Sequence, residues 1–107
     1  MTKGEICNVT TNGVTMRYEW DDGKSDSNFQ KHGLSFEDVE LVFAGACVTF
    51  EDDRLDYGEQ RLITLGTLEG RVVVIVHTPR LEATRIISMR KANDREQKIY
   101  QKRLGES

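Results

Sequence analysis

Two aliphatic segments on either side of the dipeptide Glu69–Gly70 constrain the fold more than any other part of this sequence. They are QRLITLGTL at residues 60–68 and RVVVIVHT at residues 71–78. β-Branched residues favour strands, and a two-residue connection ending in glycine is typical of a tight β-hairpin. The sequence therefore predicts two adjacent antiparallel strands, around which the other elements pack.

Three further segments have the composition of strands, namely residues 15–20, 46–51 and 83–90. Residues 1–14 show no periodicity and contain several Gly, Asn and Thr residues. They predict an N-terminal extension, and the folded domain is then expected to span residues 15–107.

Three helices are predicted from their end signals. The first follows a cap at Asp21 or Asp22 and ends at Gly33, and the second begins at Ser35. The third begins at Asn93 and runs to about residue 103. Asn93 and Glu96, three residues later, have the spacing of a capping box. The order β-α-α-β-β-β-β-α indicates an α+β domain with a mostly antiparallel sheet, helices packed on one side and the other face partly open.

The chain has 107 residues, which suits one domain, and its 37% hydrophobic and 31% charged content is that of a soluble globular protein. The longest aliphatic run, Val72–Val76, is too short to span a membrane, and the first twenty residues contain no apolar signal core. We therefore expect a cytoplasmic protein. Cys7 and Cys47 are too few for a disulfide framework or a zinc site.

Charge is divided unevenly along the chain. Residues 1–60 carry a balance of −8 and residues 61–107 a balance of +5, although the formal net charge is only −3. A basic half can form a phosphate-binding surface because a polyanion responds to the local field. The alternative is that the acidic and basic halves simply pair with each other.

The first predicted helix has a polar stripe where an apolar one is expected. Lys24, Asn28, Lys31 and His32 follow the i, i+4, i+7, i+8 spacing at which a helix normally carries its core residues. His32 is a candidate proton donor or acceptor because imidazole titrates near neutral pH. It could equally interact with the last carbonyls of the helix.

The strand at residues 83–90 carries two arginines, and period two places Arg85 and Arg90 on opposite faces unless a bulge intervenes. Arg90 is the better candidate for a phosphate clamp because it lies at the strand end, where Arg61 of a neighbouring strand could meet it. Other cations and an aromatic residue follow it in sequence, namely Lys91, Arg95, Lys98 and Tyr100. A solvated charge is the alternative for Arg90.

The sequence offers no clear metal site. The carboxylates of residues 51–59 lack the ligand spacing of a calcium loop and are expected to be a solvated acidic loop. His77 follows an aliphatic run and is expected to be a hydrogen-bonded, structural histidine. We therefore expect no metal ion or other cofactor.

Four segments, which together run from Tyr18 to Tyr100, carry a family likeness. They are YEWDDGKSDSNFQKHGLSFEDVELVF, EQRLITLG, VVVIVHT and TRIISMRKANDREQKIY, and they resemble the BrnT toxins of type II toxin–antitoxin systems. The most specific parts are Trp20-Asp21-x-x-Lys24, Asn28-x-x-Lys31-His32-Gly33 with Phe36, and Arg85-Ile86-Ile87-Ser88-x-Arg90-x-Ala92 followed by Arg95-Glu96.

The resemblance implies a fold like that of the RelE-type ribonuclease toxins and RNA cleavage without a metal ion. It also implies neutralisation by a BrnA-like ribbon-helix-helix antitoxin, in an expected two-plus-two complex that contacts DNA only through the antitoxin. The catalytic residues that it implies are Lys31, His32, Arg61 and Arg90. The residues expected to contact RNA are Lys24, Asn28, Arg85, Lys91, Arg95 and Tyr100.

The chemistry implied by the resemblance is attack of a ribose 2′-OH on the adjacent phosphate, which leaves a cyclic phosphate and a free 5′-OH. Such a reaction needs proton transfer and donors for the charge that develops on the phosphoryl oxygens. The expected function is therefore a ribonuclease that inhibits translation. The alternative is a non-catalytic module that binds an antitoxin or nucleic acid and adjusts repression of its own operon.

Overall fold

The hairpin at Glu69–Gly70 joins two central strands of a six-stranded sheet in the computed structural model of the protein. The structure describes residues 6–11, 14–52, 58–80 and 83–105, with side chains from residue 17 onward. The described strands are β1 (Ile6–Thr11), β2 (Val14–Glu19), β3 (Val48–Glu51), β4 (Leu62–Leu68), β5 (Arg71–Pro79) and β6 (Thr84–Lys91). The described helices are α1 (Asp22–His32), a 3₁₀ turn (Phe36–Asp38), α2 (Val39–Ala44) and α3 (Asp94–Gly105).

The sheet has the strand order β1-β2-β6-β5-β4-β3. Four of its neighbouring pairs are antiparallel, whereas β2 and β6 run parallel. The predicted α+β class with a mostly antiparallel sheet is therefore confirmed. The likeness to the RelE-type fold stays a prediction.

Strand β1 was not predicted. Residues 6–11 were expected to belong to a loose extension, but they pair with β2 along their whole length, from Ile6 opposite Glu19 to Thr11 opposite Val14. The Asn12–Gly13 dipeptide, which separates the two strands in sequence, is a typical hairpin signal that the prediction overlooked. The domain boundary at residues 14 and 15 stays a prediction.

Helices cover both faces of the sheet, which corrects the expected one-sided packing. On one face, here called the α1 face, Phe36, Val39 and Val42 pack against Val73 and Ile75 of β5. On the opposite face, here called the α3 face, Tyr100 of α3 packs against Val74 and Leu65. The period of two along β5 sends alternate residues to the two faces, and the near-continuous run Val72–Val76 reflects burial on both.

One close approach explains how α2 lies so near β4. A Cβ atom at Gly66 would come 2.6 Å from Cγ1 of the fully buried Val42. Glycine at this position lets the short helix close on the sheet. Within the described residues, no helix is long and apolar enough to cross a membrane.

His77 is buried in a polar chain on the α1 face, as the sequence predicted. Its Nε2 lies 2.7 Å from the Thr64 hydroxyl, which is fully buried, and that hydroxyl lies close to a second one on Thr49, at 2.7 Å. The Phe43 ring meets the imidazole edge to face at 5.3 Å. Desolvation in this position lowers the pKa of His77 from 6.5 to about 4.

We expect the burial of His77 to make the protein less stable as pH falls. In the unfolded chain His77 takes up a proton near pH 6.5, whereas in the folded protein it does so only near pH 4. The contribution of the neutral imidazole to the unfolding free energy is therefore fully present above pH 6.5 and is lost as the pH falls toward 4. The loss approaches about 1.4 kcal/mol per pH unit, or roughly 3 kcal/mol in all. Urea unfolding at pH 7, 6 and 5 measures it.

Two glutamine variants control this experiment. His77→Gln keeps a hydrogen-bonding group but does not titrate, so its unfolding free energy should change less between pH 7 and pH 5. His32→Gln removes an exposed histidine and should keep the wild-type dependence. An unchanged pH dependence in a folded His77→Gln variant would show that another group is responsible.

Candidate functional site

Helix α1 begins and ends where the sequence predicted. The Asp21 carboxylate caps its start by accepting a hydrogen bond from the Lys24 backbone N–H at 3.1 Å. Gly33 ends it with a φ of 70°, the left-handed conformation that glycine adopts without strain, and its N–H donates to the Phe29 carbonyl at 2.7 Å. The last turn, with Lys31 and His32, is thereby held in a defined place.

The inward face of α1 is polar because it hydrogen-bonds backbone groups of the rest of the protein. Asn28 is only 7% exposed. Its amide nitrogen donates to the carbonyls of Leu34 at 2.9 Å and Met89 at 2.7 Å, and its oxygen accepts from the Met89 N–H at 3.1 Å. The hydroxyl of Ser25, also buried, accepts from the Phe36 N–H at 3.2 Å.

The topology of the sheet explains why Asn28 is needed. Strand β2 pairs with β6 only at Tyr18 with Thr84 and at Glu19 with Arg85. Farther along β6, the backbone N–H and carbonyl of Met89 form hydrogen bonds with the Asn28 amide instead of with a neighbouring strand. Asn28 therefore has a structural role in the fold, since its amide is buried and hydrogen-bonded, and its expected contact with RNA stays a prediction.

A groove of about 390 Å³ opens beside the last turn of α1. It is lined by residues from α1's end, the β4–β5 turn, β5 and the end of β6, namely His32, Gly33, Leu34, Leu68, Glu69, Arg71, Val73 and Lys91. We call it the α1-end groove. His32, Arg71 and Lys91 are all exposed, so one opening holds an imidazole, a guanidinium and an amine side chain.

The register of the sheet accounts for this grouping. Lys91 lies opposite Val73, and Arg71 lies opposite Leu68, so both cations project on the α1 face at the same end of the sheet. Glu69 has a φ of 52° and Gly70 a φ of 81°. Positive φ at both residues suits a tight hairpin, and it places a carboxylate at the rim of the groove.

Two other predicted residues of α1 lie outside this lining. Lys31 is exposed and adjacent to His32 in sequence, and Lys24 is exposed in the first turn. Eight residues of helix separate Lys24 from His32, or about 12 Å along the axis. Both lysines add positive charge to the same helix without entering the groove.

A bulge in β6 places Arg85 and Arg90 on the same face of the sheet. The register shifts between Val76, opposite Ser88, and His77, opposite Ile86, so β6 has one extra residue. The sequence predicted that Arg85 and Arg90 lie on opposite faces unless a bulge intervenes. The bulge is present, so they share one face. Arg90 lies opposite Val74 and Arg85 opposite Thr78, which puts both on the α3 face, about 13 Å apart along the strand.

Arg90 is held by Glu96 of α3. Its two terminal nitrogens donate to the two carboxylate oxygens at 2.8 and 2.7 Å. The same carboxylate accepts from the Asn93 N–H at 2.9 Å, and the Asn93 side chain accepts from the Glu96 N–H at 2.8 Å, which completes the predicted capping box. A phosphate would have to displace Glu96, so Arg90 in this arrangement anchors α3.

Arg61 lies at the opposite end of the sheet from the α1-end groove. Leu62 pairs with His77, which brings Arg61 level with Thr78 and so beside Arg85 rather than Arg90. Seven strand residues separate this level from Arg71, or roughly 23 Å. The expected meeting of Arg61 with Arg90 is therefore not present, and neither reaches His32.

Tyr100 also has a structural position. It is 5% exposed, and its hydroxyl donates to the Ala46 carbonyl at 2.8 Å, so it anchors α3, and its expected contact with RNA stays a prediction. Arg95 is exposed on α3, where the sequence placed it. In the part of the chain that the structure describes, no group of three or more His, Cys, Asp or Glu side chains lies together.

Of the predicted residues, the structure brings His32 and Lys91 together. Sequence reasoning missed their neighbours Glu69 and Arg71, although both flank the predicted hairpin turn. Pairing that hairpin with the following strand would have placed Arg71 near Lys91. The fold and groove together define a small α+β domain with an exposed histidine and two basic side chains in one groove.

Comparison with known families agrees with this class. The model of a family described as ribonuclease toxin, BrnT, of type II toxin–antitoxin systems matches residues 20–96. The chain therefore belongs to the BrnT family of ribonuclease toxins, as its motifs indicated. Comparison with the curated proteins gave no match.

Proposed function

We propose that this BrnT family member cleaves RNA in the α1-end groove, without a metal ion, and thereby inhibits translation. The observation that carries the proposal is that His32 lines one groove with Arg71 and Lys91. Family membership supports the ribonuclease activity, and the groove supplies the kinds of side chain that the reaction needs.

Each step of the reaction corresponds to a group in the groove. The 2′ oxygen forms a bond to phosphorus as the bond from phosphorus to the 5′ oxygen breaks, leaving a 2′,3′-cyclic phosphate and a 5′-OH. One group accepts the 2′ proton and another returns a proton to the 5′ oxygen. His32 performs one transfer, and the Glu69 carboxylate performs the other.

The cations have the remaining role in this proposal. Arg71 and Lys91 stabilise the charge that develops on the phosphoryl oxygens, and Lys24 attracts the RNA backbone from farther away. Arg61, Arg85 and Arg90, which lie on the α3 face, are assigned no step in the groove.

The products of cleavage test the proposal. Purified protein should cut RNA equally well in EDTA, and mapping should find 5′-OH ends and cyclic phosphates. Activity that disappears with the chelator and returns with magnesium would contradict the metal-independent reaction. A folded protein that leaves RNA intact while binding its partner would indicate the regulatory module instead.

The partner is proposed to be a ribbon-helix-helix antitoxin that forms a two-plus-two complex. A dimeric antitoxin offers two equivalent attachment points, and DNA is then contacted only by the antitoxin. The family description as a toxin–antitoxin component supports the existence of this partner. Light scattering of the purified complex measures the mass, and a one-to-one value would contradict the assembly.

A further inference from the structure

Helix α3 presents a second basic surface, on the opposite face of the sheet from the α1-end groove. Residues 95, 98, 99, 102 and 103 follow the i, i+3, i+4, i+7, i+8 spacing and therefore share one side of the helix. They are four exposed cations around one half-buried isoleucine, namely Arg95, Lys98, Ile99, Lys102 and Arg103. We call this surface the α3 stripe.

The charges of the α3 stripe are not compensated within the described parts of the chain. None of its four cations makes an ion pair or side-chain hydrogen bond with another described residue. The acidic residues of α3 are in its first turn, and Glu96 is engaged by Arg90. Like charges three or four residues apart destabilise a helix, so this surface suits an anionic ligand.

The α3 stripe borders two neighbouring hollows. The first, of about 620 Å³, is lined by Phe50, Ile99, Lys102 and Arg103. The second, of about 390 Å³, is lined by Arg95, Lys98, Ile99 and Lys102. Both are lined by Ile99 and Lys102, and together they border residues 95–103 of α3, or about 12 Å of helix. We call these two neighbouring hollows the channel.

Phe50 places the channel beside the edge strand of the sheet. Phe50 belongs to β3, which is the last strand of the sheet order. The channel therefore runs between a helix and a sheet edge, where an extended or helical segment has room to lie. Its length accommodates about two turns of helix or four residues of strand.

We propose that the α3 stripe with Phe50 is the docking surface for an acidic, amphipathic segment of the antitoxin. An apolar side chain of that segment would cover Phe50 and Ile99, and its carboxylates would pair with Lys98, Lys102 and Arg103. The inference rests on the proposed function for the existence of the antitoxin and adds the surface that it uses.

The chemistry of the channel favours a protein over RNA as the occupant. A phosphate backbone needs cations but gains little from an apolar floor, whereas a peptide anchor gains most of its affinity there. The channel also lies on the α3 face, opposite the groove with His32. Docking and RNA cleavage therefore use different surfaces, and substitutions should separate them.

Two matched double variants test the proposal. Lys98→Gln with Lys102→Gln removes two charges from the stripe. Gln30→Glu with Arg80→Gln changes the net charge by the same amount at exposed positions outside it. Titration with the purified product of the neighbouring open reading frame measures antitoxin binding. A 2′-O-methyl RNA oligonucleotide measures RNA binding, and a cleavable RNA measures activity.

The stripe variant should bind the antitoxin about 10 to 100-fold more weakly, with cleavage within twofold of wild type. The control variant should change neither by more than twofold. In cells, the stripe variant should arrest growth even when the antitoxin is expressed.

Unchanged antitoxin affinity in the stripe variant would overturn the proposal while leaving the ribonuclease function intact. Loss of RNA binding with antitoxin binding retained would show that the channel binds RNA. A wild-type protein that binds no antitoxin would overturn both this inference and the proposed partner. A wild-type protein that binds the antitoxin but cuts no RNA would overturn only the ribonuclease.

Discussion

Replacing His32 by alanine is expected to lower RNA cleavage by about 10² to 10⁴-fold, because the groove would lose one of its proton-transfer groups. His32 is exposed at the end of α1, so the unfolding free energy should change by no more than about 0.5 kcal/mol. Single-turnover cleavage of an RNA oligonucleotide measures the first quantity, and urea unfolding measures the second.

The cations of the groove should show a related loss. Arg71→Ala and Lys91→Ala should each lower cleavage by about 10² to 10³-fold, the usual cost of one preorganised donor for transition-state charge. Arg61→Ala is the matched control, since it removes an arginine from the far end of the sheet. Equal losses for Arg61→Ala and Arg71→Ala, with full activity in His32→Ala, would place the reaction outside the α1-end groove.

Replacing Asn28 by alanine is expected to lower the unfolding free energy by roughly 3 kcal/mol, because two buried backbone groups and one half-buried one would lose their partners. These are the N–H and carbonyl of Met89 and the carbonyl of Leu34. A smaller loss would follow only if water entered the space left by the amide. Thermal and urea unfolding measure the change.

The control for Asn28 is the neighbouring amide at Gln30. Its side chain is exposed on the same helix, so Gln30→Ala should leave the unfolding free energy within about 0.5 kcal/mol of wild type. A folded Asn28→Ala variant with wild-type stability and weakened RNA binding would restore the RNA contact that the sequence predicted.

Local signals predicted the elements that depend on local chemistry. The caps at Asp21 and Gly33, the hairpin at Glu69–Gly70 and the Asn93–Glu96 capping box each involve residues close together in sequence. Their hydrogen bonds can be inferred from residue type and spacing alone. All four are confirmed.

The arrangement of the elements depended on contacts between residues distant in sequence. The polar stripe of α1 could be identified, but not divided into a buried Asn28 and exposed neighbours, because its partner Met89 lies 61 residues away. The bulge in β6 also could not be located, and it decides which face Arg85 and Arg90 share. Arg90 has the residue type and position of a phosphate clamp, yet Glu96 engages it.

The most direct test of the α1-end groove is to locate RNA on the protein. Amide chemical shifts of the folded His32→Ala variant can be followed during titration with a 2′-O-methyl RNA oligonucleotide, which cannot be cleaved. The account predicts that the largest changes occur at residues 32–34 and 68–71 and at Lys91. Changes confined to α3, or to the surroundings of Arg61 and Arg85, with none in the groove, would contradict it.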